Sequence, residues 1–321
     1  VIEFELLRAT EAAAIAAGHF VGRQDKIAID GAAVDAMRSQ LAQAQLEGKV
    51  AIGEGEKDQA PMLYIGERVG RGEGPLLDIA VDPIDGTTLA SKGGAGALSV
   101  VAAAPLGSLL RTHLAYMEKL VSGPAGVGVI SLEQSIAENI RALARAMDRD
   151  PSEITVAVLD RPRNAFVFEG IAETGARARL FSDGDIANAL IAVAPDRPQI
   201  DLLAGIGGAP EGVVTACAVK ALGGEMHARV WIRDRQDAQI AADEELDPKK
   251  ILSLRDLCTS DGTFFAATGV TDGELLDGVR YLHGQAHVSS IVISGFTRTS
   301  RVISSRHHLD HFIESPRERT A

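Results

Sequence analysis

The sequence predicts an α/β fold, organised as two domains or one large unit. At 321 residues the chain is about twice the length of a typical single domain. Its composition, 46% hydrophobic and 24% charged, is that of a globular protein and argues against disorder. Short apolar runs bounded by glycine, proline or acidic residues recur along it. After Pro151 strand and helix patterns take turns, which favours a sheet with helical crossovers.

Residues 5–20 are rich in alanine and leucine and read as a helix. A loop containing Gly22 and Gln24-Asp25-Lys26 ends in Asp30-Gly31, and a second helix covers 32–46. Gly48 releases the chain into a short strand over 49–52, and the next strand, 76–81, stops at Asp82-Pro83. Strand patterns follow over 97–104 and, more weakly, 116–121, and residues 132–147 have helical periodicity. Asp150-Pro151 is the best boundary, dividing an N-terminal α/β domain (1–150) from a C-terminal one (151–321). Strands at 155–159, 178–181 and 200–203 then alternate with helices from Asn164 to Gly175, at 186–193 and at 211–222. A glycine-rich turn (Gly205, Gly207, Gly208) precedes the last of these helices. Late strands fall at 264–268, 288–294 and 298–303, and the polar tail from His307 is expected to fray.

Lys and Arg number 32 against 44 Asp and Glu, a net charge of −12. Such acidity is a poor match for nucleic acid or an anionic membrane, both of which reward a basic stripe. A small anionic substrate stays open if something locally reverses the field. Two cysteines, Cys217 and Cys258, are too few for a disulfide framework or a cysteine-rich zinc site, and a reducing cytoplasm is the expected setting. The opening residues show no secretory pattern and no apolar run is long enough for a membrane helix, so a soluble chain is expected. The histidines lack metal-ligand spacing, with His307, His308 and His311 expected in solvent and Trp231 in packing.

Acidic residues at strand ends carry the strongest chemical signal. Asp30, the group Glu54, Glu56 and Asp58, the pair Asp82 and Asp85, and Glu211 each stand beside glycine, which permits close backbone approach to a ligand. Carboxylates gathered without His or Cys point to a hard divalent cation, Mg²⁺ or Mn²⁺. In Asp82-Pro83-Ile84-Asp85-Gly86-Thr87-Thr88 the two aspartates can converge on metal while Gly86 and Thr87 offer backbone and hydroxyl groups to an anion. Two such cations would clamp the attacking and leaving oxygens of a phosphoryl transfer. The second acid stands three residues after the first, which excludes the Asp-x-Asp of phosphatases with an aspartyl nucleophile. No P-loop pattern occurs, and Gly205 to Pro210 is a weak match to a dinucleotide fingerprint. Arg161-Pro162-Arg163 offers two planar forks suited to a second phosphate. Asp183-Gly184-Asp185 suits sugar hydroxyls or caps the helix at Ile186, and Tyr116 is either a phosphate contact or core.

Taken together, these segments resemble the class II fructose-1,6-bisphosphatases of bacteria. The likeness rests on Gly53-Glu54-Gly55-Glu56-x-Asp58-x-Ala60-Pro61-Met62-Leu63-Tyr64, Asp82 to Thr87, Tyr116-Met117-Glu118-Lys119, Arg161-Pro162-Arg163, Asp183-Gly184-Asp185, Gly205 to Gly212 and Ala267 to Thr271. It runs from about residue 4 to about 310. The Asp-Pro-x-Asp-Gly-Thr element alone marks only the wider lithium-sensitive phosphatase superfamily. The resemblance implies a layered αβαβα sandwich with two sheets, most metal ligands in the first half, and the sugar and remote-phosphate contacts in the second. It implies metal ligation by Asp30, Glu54, Asp82, Asp85 and Glu211 and catalysis by Thr87 with Asp58 and Glu56 as assistants. It implies substrate contacts from Asp85, Gly86, Thr87, Tyr116, Arg161, Arg163, Asp183, Gly184, Asp185 and Gly208. The implied reaction is hydrolysis of the 1-phosphate of fructose 1,6-bisphosphate, a step of gluconeogenesis, by a homo-oligomer. Sedoheptulose 1,7-bisphosphate, an inositol or nucleotide phosphate, or an inactive binding role are the alternatives. Asp85 stands where some members carry Glu, Asn164 where His is common, and Ile27 and Ile29 replace more polar residues.

Overall fold

The computed structural model describes residues 2–53, 63–194 and 199–312, and within them strands gather into an eight-stranded and a six-stranded sheet. The alanine-rich α1 (Ile2–Gly18) buries Leu6, Ala9, Ala13 and Ala17 along one stripe. In α2 (Lys26–Leu41) the helix starts at Asp25, whose side chain accepts the Ala28 N–H at 3.0 Å. Asp30 and Gly31 therefore lie inside the helix and not in the expected loop. A good N-cap is worth about 1 kcal/mol, enough to offset one interior glycine.

The chain continues through β1 (Glu47–Ile52), β2 (Arg68–Val69), β3 (Leu76–Asp85), α3 (Thr87–Lys92), β4 (Leu98–Pro105) and β5 (Tyr116–Ser122). Next come α4 (Ile136–Ala146), β6 (Thr155–Leu159), α5 (Ala165–Thr174), β7 (Arg177–Phe181), α6 (Ile186–Val193), β8 (Leu202–Gly208) and α7 (Ala209–Leu222). It closes with β9 (Glu225–Val230), α8 (Arg235–Asp243), β10 (Leu252–Ser253), α9 (Leu254–Leu257), β11 (Phe264–Gly269), β12 (Arg280–Leu282), β13 (Gln285–Ser294), β14 (Thr299–His308) and α10 (Leu309–Phe312). The larger sheet runs β12-β13-β11-β4-β3-β1-β2 with β14 on β13, and the smaller runs β10-β9-β5-β8-β6-β7. β5 thus joins the smaller sheet ahead of β6, and β11 to β14 return to the larger one.

Alternating side chains show how the layers stack, because successive residues of a strand face opposite sides. On β4, Val100, Ala102 and Ala104 enter the central core, while Val101 and Ala103 enter the core under α1 and α2. On β8, Leu203 enters the central core, and Leu202 and Ala204 join a third core with α4 and α5. α6 and α7 fill the space between the sheets, and α7 contacts strands of both. The order is α1/α2, sheet, α6/α7, sheet, α4/α5, the expected αβαβα sandwich. Buried on nearly all sides, α7 is apolar around its circumference, as a helix between two sheets must be.

Three expectations are corrected. The glycines at 205, 207 and 208 lie in β8 and not in a turn, since a Cβ at Gly205 would press on Asn164 and one at Gly207 would collide with the Asp185 carboxylate. Residues 132–135 precede α4, where Ser135 and Glu138 form a reciprocal capping box. β14 runs to His308, and His307 packs its ring nitrogen 3.1 Å from Glu11 in place of fraying.

Candidate metal and phosphate site

The site begins with an irregularity in β3. Asp82 pairs with Val100 of β4 and Asp85 with Leu98, so three steps on one strand answer two on the other. Pro83 has no N–H to give a ladder, and the surplus residue is absorbed there as a bulge. Residues three apart on a regular strand face opposite sides. The bulge cancels that and turns both aspartates the same way, which is why β3 continues past Asp82-Pro83 where a strand end was expected. Ligand oxygens of Asp82, Asp85 and Glu211 all lie within 4.8 Å of one another.

Glu211 comes from the other sheet. β8 ends at Gly208, and Glu211 sits in the first turn of α7, beyond Pro210. A Cβ at Gly208 would collide with the Glu211 carboxylate, so glycine there lets the side chain fold back over the strand end. The segment 183–185 closes the group from a third direction. Asp85 accepts the Ile186 N–H at 3.1 Å, and Asp183 accepts the Thr88 N–H at 2.8 Å. Gly184, at φ +63°, passes so close that a Cβ would lie 3.0 Å from both Asp85 oxygens. Asp185 forms an ion pair with Lys119, which also donates to the Gly208 carbonyl at 2.9 Å. Lys119 is only 2% exposed, so it acts as a buried pin between the 183–185 segment and the end of β8.

Charge and donor chemistry indicate what this arrangement can hold. Burial, followed by the charges of Asp185 and Glu211, pushes the Asp85 carboxyl well above the usual carboxylate range. Burial, and then Asp185, pushes Glu211 up as well. Two like charges about 5 Å apart at an effective dielectric near 20 cost about 3 kcal/mol. Among the described residues, the converging donors of Asp82, Asp85 and Glu211 are all carboxylate oxygens, with Asp183 and the Asp185–Lys119 pair beside them. That donor chemistry fits a hard divalent cation of the Mg²⁺ or Mn²⁺ type. Asp30 lies within α2, half-buried and raised by burial, and is not among the three acids whose ligand atoms converge. Glu54, Glu56 and Asp58 lie outside the described residues.

Gly86 enters the left-handed region at φ +89° and starts α3, in which the Thr87 hydroxyl donates to the Ile84 carbonyl at 3.1 Å. Tyr116 lies opposite Gly208 in the β5–β8 register, and the Arg163 guanidinium carbon stands 4.5 Å from its ring centroid. The Nε of Arg163 donates to the Ile206 carbonyl at 3.1 Å, and Arg161 faces Asp183 at 3.8 Å. Asn164 is fully buried, donates to the Leu159 carbonyl at 2.9 Å and accepts the Ile206 N–H at 2.7 Å. It therefore bolts the arginine segment to β8. Asn164→Ala is expected to cost about 2 kcal/mol of stability, read as a lower urea midpoint; an unchanged midpoint would show that the bolt carries no load.

Two residues near the site have no role assigned from sequence, Lys119 appearing only within the Tyr116–Lys119 segment. Lys119 occupies an inward position of β5 between Met117 and Val121, and a lysine at apolar parity in a strand was the available signal. Arg233 brings its guanidinium carbon to 5.1 Å from the Tyr116 ring centroid, and no local pattern marks it.

A two-sheet α/β fold that gathers oxygen ligands at a bulged strand end, with arginines and a tyrosine at the adjoining edge, is of the metal-assisted sugar-phosphatase class. Residues 1–307 match the family described as bacterial fructose-1,6-bisphosphatase, glpX-encoded, and the chain belongs to that family. The fructose-1,6-bisphosphatase 1 class 2 of Escherichia coli K12 is 42% identical over 322 residues, covering 96% of each chain. Proteins named fructose-1,6-bisphosphatase class 2 from a second Escherichia coli strain and from Shigella flexneri match with the same identity and coverage. Among the described residues, no helix is long and apolar enough to cross a membrane.

Proposed function

We propose that this chain hydrolyses the 1-phosphate of fructose 1,6-bisphosphate, giving fructose 6-phosphate and inorganic phosphate. The observation that carries the reading is the adjacency of two anion-handling features. The converging acids at Asp82, Asp85 and Glu211 lie beside the Tyr116–Arg163 contact, joined through the pairing of Tyr116 with Gly208. A substrate with two phosphates uses both. Asp82, Asp85 and Glu211 would hold Mg²⁺ or Mn²⁺, with Asp30 and Glu54 as further ligands. When bound, such a cation neutralises phosphoryl oxygens and makes a nearby water more acidic.

The chain's own groups then orient the reaction. The Thr87 hydroxyl spends its proton on the Ile84 carbonyl, which leaves its lone pairs to accept a hydrogen bond from the attacking water. Water attacks phosphorus, the bond from phosphorus to the sugar oxygen breaks, and that oxygen leaves as the protonated hydroxyl of fructose 6-phosphate. Glu56 and Asp58 assist in moving the proton. Arg161, Arg163 and Tyr116 hold the 6-phosphate, and Asp183, Gly184, Asp185 and Gly208 meet the sugar. A grip at the far end contributes orientation, the source of much of the rate in positioned reactions.

The test is phosphate release from fructose 1,6-bisphosphate, sedoheptulose 1,7-bisphosphate, inositol phosphate and a nucleotide, each with Mn²⁺ and with a chelator. Release is expected only with metal and fastest from fructose 1,6-bisphosphate. An absence of metal-dependent release from any bisphosphate would end the proposal.

A further inference from the structure

We infer that Arg233 is a further substrate-recognition residue, forming with Arg163 and Tyr116 a cationic cradle for the phosphate remote from the acid cluster. The inference rests on the bisphosphate reading above. The chain reaches Arg233 from β9, which pairs with β5; the Trp231 N–H donates to the Tyr116 carbonyl at 3.1 Å. The indole of Trp231 stands edge-on to the Tyr116 ring, 6.0 Å between centroids. Two residues later Arg233 turns back to the same phenol, so two guanidinium groups approach one ring, at 4.5 Å for Arg163 and 5.1 Å for Arg233. Like charges gather in this way only where something offsets their repulsion. The ring face attracts both cations, and one carboxylate holds the second of them.

That carboxylate is Asp237. It accepts from Arg233 Nε at 2.7 Å, from Nη2 at 2.8 Å and from the Arg233 backbone N–H at 3.0 Å. The carboxylate is buried while 41% of the arginine side chain is exposed, so the pair presents a fixed guanidinium edge outward. A two-point grip through Nε and Nη2 uses two of five N–H donors and leaves the Nη1 pair and one Nη2 hydrogen for a phosphate. Arg163 is held by Nε alone, and among the described residues nothing hydrogen-bonds its Nη nitrogens. Anchoring α8 would account for the pair with Asp237 but not for the approach to Tyr116. In a chain with a net charge of −12, two guanidinium groups thus meet at one ring, with Asp237 gripping Arg233 and Asp234 close enough to act on its charge. The edge adjoins the acid cluster through Gly208, which pairs with Tyr116 and lies against the Glu211 carboxylate.

The test compares kcat/KM for fructose 1,6-bisphosphate and for fructose 1-phosphate, which lacks the remote group, in wild type, Arg233→Met and Arg233→Lys. In Arg233→Met the ratio of the two is expected to shrink by about 10- to 100-fold, mainly through KM for the bisphosphate. Arg233→Lys keeps a cation and a contact to Asp237 but not the fork, and its ratio should fall several-fold. Lysine also decides the matter should the methionine variant fail to fold. A ratio equal to wild type, or equal losses on both substrates, overturns the inference while leaving the bisphosphatase reading intact. Wild-type protein without metal-dependent release from fructose 1,6-bisphosphate overturns both.

Discussion

Asp85→Asn should abolish metal-dependent phosphate release, by about 1,000-fold or more, and at the same time make the metal-free protein less sensitive to alkali. Asparagine keeps the oxygen that accepts the Ile186 N–H. It removes one of three converging carboxylates and with it a ligand charge. The stability effect follows from the direction in which the carboxyl is shifted. Burial and the neighbouring Asp185 and Glu211 raise it above the ordinary value of 3.8 in the folded chain. A group raised on folding contributes stability that is fully present below its unfolded value and is lost as pH rises through the folded one. Chelated wild-type protein should therefore lose thermal stability from about pH 4 upward, and the variant should lose less over the same range. Added Mn²⁺ should restore the wild type at alkaline pH and leave the variant unmoved. Parallel melting curves for the two proteins across that range would contradict the charge argument.

Lys119→Met should destabilise the fold by about 3 to 5 kcal/mol, the cost of leaving a buried carboxylate without its partner. Asp185 would then face Asp85 and Glu211 with no cation between them, and the Gly208 carbonyl would lose its donor. The double variant Lys119→Met with Asp185→Leu should recover most of that stability, since removing both members of a buried pair is often neutral. It should not recover phosphate release, because the pin between the 183–185 segment and the end of β8 would still be missing. Urea denaturation of the three variants measures the first part. A loss below about 1 kcal/mol in the single variant would rule out a stabilising role for the pair.

Helix α6 was legible to the residue, since an acidic, glycine-containing loop gives way abruptly to Ile186-Ala187-Asn188-Ala189-Leu190. The layered order was legible through the resemblance, and the alternating β4 and β8 side chains carry it out. Other features escaped because their causes lie far away in the chain. Gly205 and Gly207 look like turn formers, yet they are glycine because Asn164 and Asp185 crowd the strand from neighbouring elements. β14 outlasts its apolar pattern because β13 supplies a ladder as far as His308. Asp82, Asp85 and Glu211 were all named from spacing and flanking glycine. Lys119 stands in sequence only as the end of a shared segment and Arg233 not at all, since a buried cation and a stacked one acquire their roles from partners distant in the chain. Asp30 looks like a loop acid because Gly31 follows it, whereas the cap at Asp25, a short-range signal, places it in a helix.

The offset between β3 and β4 also bears on which changes this strand can absorb. Replacing Pro83 or Ile84 alters one side chain and leaves the count between the aspartates intact. Adding or removing a residue there alters the count, and with it the face presented by one aspartate relative to the other. At this point in the chain, length is more tightly constrained than identity.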